Sequence, residues 1–214
     1  MMRPFSWLLR RVIPPWLVRY RLDRCDQGEV LLTFDDGPDP ETTPRVLELL
    51  ARYHVRALFF IVGNRIHRAP GVLPQIVAQG HLVGNHSFSH EGTLGIPFSR
   101  YCDDLERCQG LIEGHTGCVP RFFRPPYGRI APAALRAARR TGLQTICWSA
   151  EGGEFGHSST RPWNVIAERL CSCVRGRDIV LLHDNYPHCA EVLEVLLPAL
   201  AQRGLRLGPG GLSA

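Results

Sequence analysis

Two adjacent carboxylates and two spaced histidines are the residues of this sequence whose types and spacing suggest chemistry. Asp35 and Asp36 stand side by side in LLTFDDGPDP, directly after an apolar run. His86 and His90 are four residues apart in NHSFSH, a spacing that in a helical turn presents two imidazoles on one face. Two histidines and one carboxylate leave open coordination positions on a divalent metal, as a catalytic metal site requires.

The aspartate pair fits such a site in two roles. One aspartate can bind the cation, and the other can act as general base toward a water molecule whose pKa the metal lowers to about 7. The cation also offsets the repulsion between the two carboxylates. The structural alternative is a turn in which Asp35 or Asp36 caps the next helix, although Asp39, just before Pro40, is better placed for capping.

Three further polar residues follow apolar runs. His183 ends IVLLH and is a candidate general acid for a leaving group, although a lone histidine in a core is ordinarily structural. Arg124, in RPPY, is a candidate partner that keeps Asp35 ionised. Tyr127 lies where a loop could offer a backbone N–H to an oxyanion.

These residues must be positioned by alternating strands and helices. Apolar runs predict seven strands, at 29–34, 57–62, 81–85, 121–123, 143–149, 178–183 and 205–208. Helical patterns lie at 43–54, 72–80, 99–114, 132–142, 163–176 and 190–204. The alternation predicts a parallel α/β sheet buried on both faces, either open and doubly wound or closed into a barrel. Because functional residues of such folds gather at the carboxyl ends of the strands, we expect the polar groups to meet at one rim.

Composition narrows the class of protein. The chain has 214 residues, 44% hydrophobic and 21% charged, which fits one globular domain. No run reaches the roughly 18 consecutive apolar residues of a membrane-spanning helix. The net charge of +5 is matched by residues 1–24 alone, which hold six arginines and one aspartate. The rest of the chain is therefore neutral, and a diffuse nucleic-acid footprint is absent.

The basic, aromatic segment 1–27 is predicted to be an N-terminal arm. It interleaves arginine with Trp7 and Trp16, so one interpretation is peripheral contact with a membrane surface through residues 1–24. The alternative is an arm packed on the domain, since Pro14 and Pro15 interrupt a long helix. The sequence shows no typical secretory signal and no CxxC framework among its eight cysteines. These features predict a cytoplasmic protein, on the inner face of the membrane if the arm binds lipid.

Four motifs, in this order, resemble those of the polysaccharide deacetylase family, carbohydrate esterase family 4, which shares the NodB homology domain. T-[FY]-D-D-G corresponds to residues 33–37, H-[ST]-x-x-H to 86–90, R-x-P-Y to 124–127 and L-L-H to 181–183. The resemblance covers about residues 28 to 208. It implies one catalytic domain, 28–214, with a distorted, TIM-barrel-like (β/α)₇ fold.

The resemblance implies metal-dependent removal of acetyl groups, most often N-acetyl groups, from an amino-sugar glycan. If the N-terminal arm binds a membrane surface, a lipid-linked acetylated sugar precursor is also an expected substrate. Asp36, His86 and His90 would bind the divalent metal, with zinc expected and cobalt, nickel or manganese as alternatives. The resemblance leaves two other readings open. One is a hydrolase of O-acetyl esters or other amides, and the other is a glycan-binding protein without catalysis.

The resemblance also assigns the proton transfers. Asp35 would be the base that activates water, and His183 the acid that protonates the departing amine. Arg124 would orient Asp35, and the backbone N–H of Tyr127 would help hold the tetrahedral oxyanion.

The fourth motif departs from the family pattern. The family commonly has D-x-x-D-W after a strand tryptophan, whereas here Trp148 is followed by Glu151, Glu154 and Phe155. Glutamate keeps the negative charge but adds a methylene, and phenylalanine lacks the indole N–H. These four residues are therefore expected to tune substrate preference and the pKa of His183 without abolishing activity.

Overall fold

The computed structural model describes residues 13–23, 26–92, 95–154 and 160–212, and in them nine strands form one sheet. The strands are β1 (Val18–Arg19), β2 (Glu29–Gly37), β3 (Leu58–Ile61), β4 (Leu82–Asn85), β5 (Phe122–Phe123), β6 (Gln144–Ile146), β7 (Ala150–Glu151), β8 (Ile179–His183) and β9 (Arg206–Leu207). All seven predicted strands are confirmed, and β1 and β7 are additional.

Six α-helices connect these strands in the described part of the chain. They are α1 (Thr42–Arg52), α2 (Val72–Ala78), α3 (Phe98–Thr116), α4 (Pro132–Arg140), α5 (Trp163–Cys173) and α6 (Cys189–Gln202). All six were predicted from the sequence. Short 3₁₀ segments lie at Gly63–Arg68, Pro126–Gly128 and Gly210–Leu212. No described helix is long and apolar enough to cross a membrane.

The sheet is parallel and curled. Its strand order is β1-β6-β5-β4-β3-β2-β8-β7, and β9 also pairs with β2. Parallel neighbours need long crossover connections, which the helices supply. Among the described residues the path from β1 to β7 does not close, so the architecture is a half-barrel. It confirms the predicted distorted (β/α) barrel in a single domain.

The core lies on both faces of the central strands. Every residue of β3 and β8 is buried, as expected for strands covered by helices on both sides. Helix α1 buries Val46, Leu47 and Leu50, and each such side chain contributes about 1.5–3 kcal/mol. Asp39 precedes this helix and accepts a hydrogen bond from the Thr42 N–H at 2.9 Å, as its predicted capping role requires.

Part of the predicted arm lies in the sheet. Val18 and Arg19 form β1, which pairs with β6 in parallel. The arm's apolar residues therefore pack on the domain at this point. A domain boundary at residue 28 stays a prediction.

Candidate active site

The two aspartates lie within β2, which continues three residues beyond its predicted end. Asp35 lies opposite His183 of β8, while Gly37 lies opposite Ile61 of β3. Asp36 is thus the extra residue of a bulge, with φ of +75°. Neighbouring residues of a regular strand point to opposite faces, but a bulge re-aims its side chain. Both carboxylates consequently line the same cavity.

The two histidines lie in a loop after β4, so the helical turn suggested by their spacing is wrong. Ser87 and His90 have φ of +70° and +56°, a left-handed conformation that right-handed helices exclude. The loop directs both imidazoles toward Asp36. Its Oδ1 lies 2.9 Å from Nε2 of His90 and 3.5 Å from Nε2 of His86.

The hydrogen bond of His86 fixes which of its ring nitrogens is free to bind a cation. Its Nδ1 lies 2.8 Å from the Arg124 carbonyl, which can only accept, so Nδ1 carries the proton. Burial lowers the pKa of His86 to about 4, despite the charges of Asp35 and Asp36, and the ring is neutral at pH 7. Its Nε2 therefore presents a lone pair to carboxylate oxygens, an arrangement that a bound cation satisfies.

Three side chains form the possible metal site. The ligand atoms of Asp36, His86 and His90 lie within 4.8 Å of one another. Burial would raise the pKa of Asp36, but a hydrogen bond from His90 and the charge of the nearby His183 hold it below its usual range. A carboxylate and two imidazoles are ligands that divalent transition metals take in proteins.

Arg124 holds Asp35 from behind the cavity. Its fully buried guanidinium donates to Asp35 Oδ1 and Thr33 Oγ1, each at 2.7 Å. It also donates to the carbonyls of Ile146 and Cys147 at 3.2 and 3.0 Å. A buried charge needs such partners to be tolerated. The predicted Arg124–Asp35 pair is therefore present, and Thr33, which had no predicted role, completes it.

His183 and Glu154 form a second buried pair. Glu154 is 2% exposed, and its Oε1 lies 3.6 Å from Nδ1 of His183. Burial lowers the pKa of His183, but the Glu154 carboxylate, with Asp35 and Asp36, raises it above its ordinary value. The glutamate of the altered fourth motif thus lies where it can favour protonated His183.

Two aromatic side chains form the walls of the cavity. Tyr127, which is 62% exposed, lies at its mouth, and Trp148 donates from Nε1 to Glu151 Oε2 at 2.7 Å. Gly128, which had no predicted role, lies against this indole, because a Cβ there would be 2.4 Å from Trp148 Cη2. Phe155 lies outside the described residues.

All the predicted metal and catalytic side chains surround one cavity of about 230 Å³ except Arg124, which lies behind it. The cavity is lined by Asp35, Asp36, His86, His90, Tyr127, Gly128, Trp148, Leu181 and His183. Cation ligands, a carboxylate and a histidine around one small cavity suit the attack of water on a carbonyl group.

Several known proteins are similar in sequence to this chain. The sequence profile of a family described as polysaccharide deacetylase matches residues 23–146. Two peptidoglycan-N-acetylglucosamine deacetylases of Bacillus cereus are 34% and 30% identical over 185 and 190 residues, covering 83% and 85% of this chain. The alignments cover 84% of the first relative but 66% of the second, just under two thirds. A chitooligosaccharide deacetylase of Bradyrhizobium is 31% identical over 213 residues, covering 92% of this chain and 96% of the relative.

Solved structures share the fold. A peptidoglycan N-acetylglucosamine deacetylase in complex with an N-oxidanyl-benzamide matches with a TM-score of 0.84 at 26% identity, covering 97% of this chain and 95% of that one. A carbohydrate esterase family 4 pseudoenzyme from Bacillus anthracis matches with a TM-score of 0.81 at 26% identity, covering 89% and 66%. Since the fold occurs in enzymes and in a pseudoenzyme, activity has to be argued from the residues.

Proposed function

Because this chain belongs to the polysaccharide deacetylase family, we propose that it hydrolyses the N-acetyl groups of an amino-sugar glycan. One observation carries the proposal: a single cavity is lined by the three candidate metal ligands together with Asp35 and His183. A glycan-binding protein without catalysis has no need of the buried Arg124–Asp35 and Glu154–His183 pairs.

We propose zinc as the cation. Asp36, His86 and His90 offer one carboxylate and two imidazoles, the donor set of catalytic zinc sites with an open position. Bound there, the ion would polarise the acetyl carbonyl and lower the pKa of a water molecule. Cobalt, nickel and manganese accept the same ligands and are alternatives that metal reconstitution distinguishes.

Asp35 is the proposed general base. Arg124 occupies its Oδ1 at 2.7 Å, and its Oδ2 lies 3.7 Å from Nε2 of His86, on the metal side of the carboxylate. This oxygen is placed to accept the proton of a water molecule that attacks the acetyl carbon. The guanidinium fixes the orientation of the carboxylate through this short contact.

His183 is the proposed general acid, and its pairing favours amides over esters. When the C–N bond breaks, the nitrogen must leave as an amine, so it needs a proton that His183 is placed to donate. The neighbouring Glu154 stabilises the imidazolium that carries this proton. The products are acetate and a free amino sugar, while the backbone N–H of Tyr127 remains the proposed oxyanion donor.

The substrate we propose is a glycan containing N-acetylglucosamine, the sugar named for the two Bacillus cereus relatives described above. Exposed Tyr127 and the wall formed by Trp148 offer flat aromatic faces at the cavity mouth, as binding pockets for small organic groups commonly do. A chitooligosaccharide is the related substrate named for the Bradyrhizobium relative.

Acetate release tests the proposed activity. The protein, stripped with a chelator and then reloaded with zinc, is incubated with N-acetylglucosamine oligomers, peptidoglycan and an O-acetylated xylan. We expect acetate from the N-acetylated glycans only after metal is restored, and far slower release by Asp35→Asn than by the wild type. Zinc binding without acetate release from any of them would support the glycan-binding alternative. Preferential release from the xylan would support an esterase.

We also propose that the protein contacts an anionic membrane through its N-terminal arm and a neighbouring surface. Trp16 is 68% exposed, with the Arg139 guanidinium 5.5 Å from its ring. Helix α4 adds Arg136 and Arg140 and contains no acidic residue. We call Trp16 with these three arginines the basic aromatic surface. Exposed tryptophan beside arginine suits the interface of an anionic bilayer.

Vesicle flotation tests the membrane proposal. Deleting residues 1–12 spares β1, which a deletion of 1–24 would remove. We expect this deletion and Trp16→Ala each to weaken flotation with anionic vesicles, whereas Val119→Ala, at another exposed apolar residue, should not. Equal flotation of all these proteins would refute the proposal. The cytoplasmic location stays a prediction that cell fractionation would test.

A further inference from the structure

The loop that carries the two histidines has a backbone conformation that must be held from outside. Ser87 and His90 both have positive φ although neither is glycine. Such residues cost roughly 1–3 kcal/mol each and persist where the surroundings fix them. Inside the loop, the His90 N–H donates to Ser87 Oγ at 2.9 Å, and the Ser87 N–H donates to Asn85 Oδ1 at 2.7 Å.

The peptide groups between the histidines are held on both sides. On one side, the carbonyls of Ser87 and Phe88 accept hydrogen bonds from the N–H groups of Gly63 and Asn64, both at 3.0 Å. On the other, the Phe88 and Ser89 N–H groups donate to helix α3. They bind the two oxygens of one carboxylate, Asp104, at 2.8 and 3.0 Å.

Helix α3 makes two further contacts with this region. The Arg107 guanidinium lies 3.5 Å from the centre of the Phe88 ring, and the Asn85 side chain donates to the Leu105 carbonyl at 2.9 Å. The Asp104 carboxylate does not line the cavity, so it does not reach the substrate. Its bonds to two consecutive N–H groups hold the segment that lies between the two histidines.

We propose that Asp104 is a positioning residue that sets the affinity of the site for its divalent cation. The inference rests on the proposed metal site. The carboxylate holds the strained loop in the conformation in which both Nε2 atoms face Asp36. Without it the loop relaxes, and the cation must supply the free energy that reorders the ligands. Partners of this kind typically change metal affinity by about 10- to 100-fold.

Zinc affinity, measured by competition with a chromophoric chelator, tests this role without reference to activity. Asp104→Asn offers one acceptor oxygen and places an amide N–H₂ against the second N–H, so we expect about 10- to 100-fold weaker zinc binding. Asp103→Asn is the matched control, because it makes the same charge change one residue earlier at an exposed position. Its affinity should equal that of the wild type. Asp104→Glu restores both acceptor oxygens and should recover part of the affinity.

The outcomes separate the positioning role from the proposed activity. Equal zinc affinity for Asp104→Asn and the wild type would refute the positioning role while leaving deacetylation intact. A similar loss of zinc affinity in Asp103→Asn would mean that the charge of the helix causes the effect, and this result would also refute the positioning role of Asp104. A purely structural role would lower the melting temperature of the metal-free protein without changing zinc affinity. If Asp104→Asn does not fold, the zinc affinity of Asp104→Glu is compared with that of the wild type instead. A wild type that binds no zinc would overturn both proposals.

Discussion

Two buried pairs govern the site at the level of single residues. Arg124 and Asp35 are joined at 2.7 Å in a fully buried setting, and Glu154 faces His183 at 3.6 Å. Each pair links a reacting group to a residue of opposite charge that lies away from the cavity mouth. Changes in these partners should therefore alter proton transfer while sparing the metal ligands.

Asp35→Asn should separate catalysis from metal binding. The amide cannot accept a proton, so we expect turnover to fall by about 10²- to 10⁴-fold while zinc affinity is retained. Because Arg124 loses its buried counter-charge, the melting temperature should also fall, with a cost of up to about 3–5 kcal/mol. Turnover and zinc affinity, both measured below the melting temperature of the variant, check this prediction. His86→Ala, which removes a ligand, should lose both.

Retained zinc affinity in His86→Ala would contradict the assignment of that ligand. Wild-type turnover in Asp35→Asn would show that another group is the base.

Glu154→Gln should shift the pH dependence of turnover in one direction. His183 must be protonated to act as an acid, and the Glu154 carboxylate raises its pKa against the opposing effect of burial. Removing that charge lowers the pKa, so the protonated form is lost at a lower pH. We expect the basic limb of the kcat profile to move to lower pH.

Glu151→Gln is the matched control for this shift. This substitution removes the same charge three residues earlier, but Glu151 is hydrogen-bonded to Trp148 and not to His183. It should leave the basic limb in place, since the glutamine carbonyl can still accept the hydrogen bond from Trp148. An unmoved basic limb in Glu154→Gln would show that this carboxylate does not tune the acid.

The sequence was most informative about residues whose chemistry is visible in a motif. Asp35, Asp36, His86, His90 and His183 were placed correctly at one rim, because strand ends in a parallel sheet meet there. Asp104 was missed because nothing local distinguishes it from Asp103, and only the packing of α3 on the loop does. The left-handed φ of Asp36 was also hidden, since no glycine marks it.

At the scale of elements, the 3₁₀ turn at Pro126–Gly128 builds one wall of the cavity. Gly128 has φ of +60° and lies against Trp148. Alanine there should cost about 1–2 kcal/mol in backbone conformation and also push the indole into the cavity. We therefore expect Gly128→Ala to lose most activity on glycans, which steady-state kinetics would show.

Gly142→Ala separates these two effects. Gly142 has φ of +76°, but a Cβ there would meet nothing within 4 Å. It should lower the melting temperature and leave kcat/KM unchanged. Equal kinetic losses in both variants would mean that backbone strain, rather than the displaced indole, accounts for the effect.

Element prediction succeeded where a residue pattern extends beyond the element itself. The six helices and seven strands lie in amphipathic or apolar patterns, and these include β5 and β9, which have only two residues each. Strands β1 and β7 are equally short but were not predicted, and they pair with β6 and β8 at the two ends of the sheet. The histidine loop was assigned to a helical turn because an i, i+4 spacing is compatible with both.

At the scale of the whole molecule, the two proposed surfaces lie at opposite ends of the sheet. Strand β1 runs parallel to β6, so Trp16, which precedes it, lies at the amino ends of the strands. Asp35 and His183 lie at the carboxyl ends of β2 and β8. A protein bound to a membrane by its N-terminal arm would therefore direct its cavity away from the lipid.

Because the cavity and the basic aromatic surface lie at opposite ends of the sheet, we expect membrane-bound protein to process a glycan chain rather than a lipid-linked sugar. A lipid-linked sugar held at the bilayer surface would face the wrong end of the protein, whereas a glycan chain extending from the membrane could reach the cavity.

With protein bound to anionic vesicles, we expect N-acetylglucosamine oligomers in solution to be deacetylated as fast as by the unbound protein. A lipid-linked acetylated sugar in the same vesicles should react more slowly than it does in detergent micelles, where the protein is free to turn. Faster turnover of the lipid-linked sugar in vesicles would show that the cavity faces the membrane, and the proposed attachment through the basic aromatic surface would then be wrong.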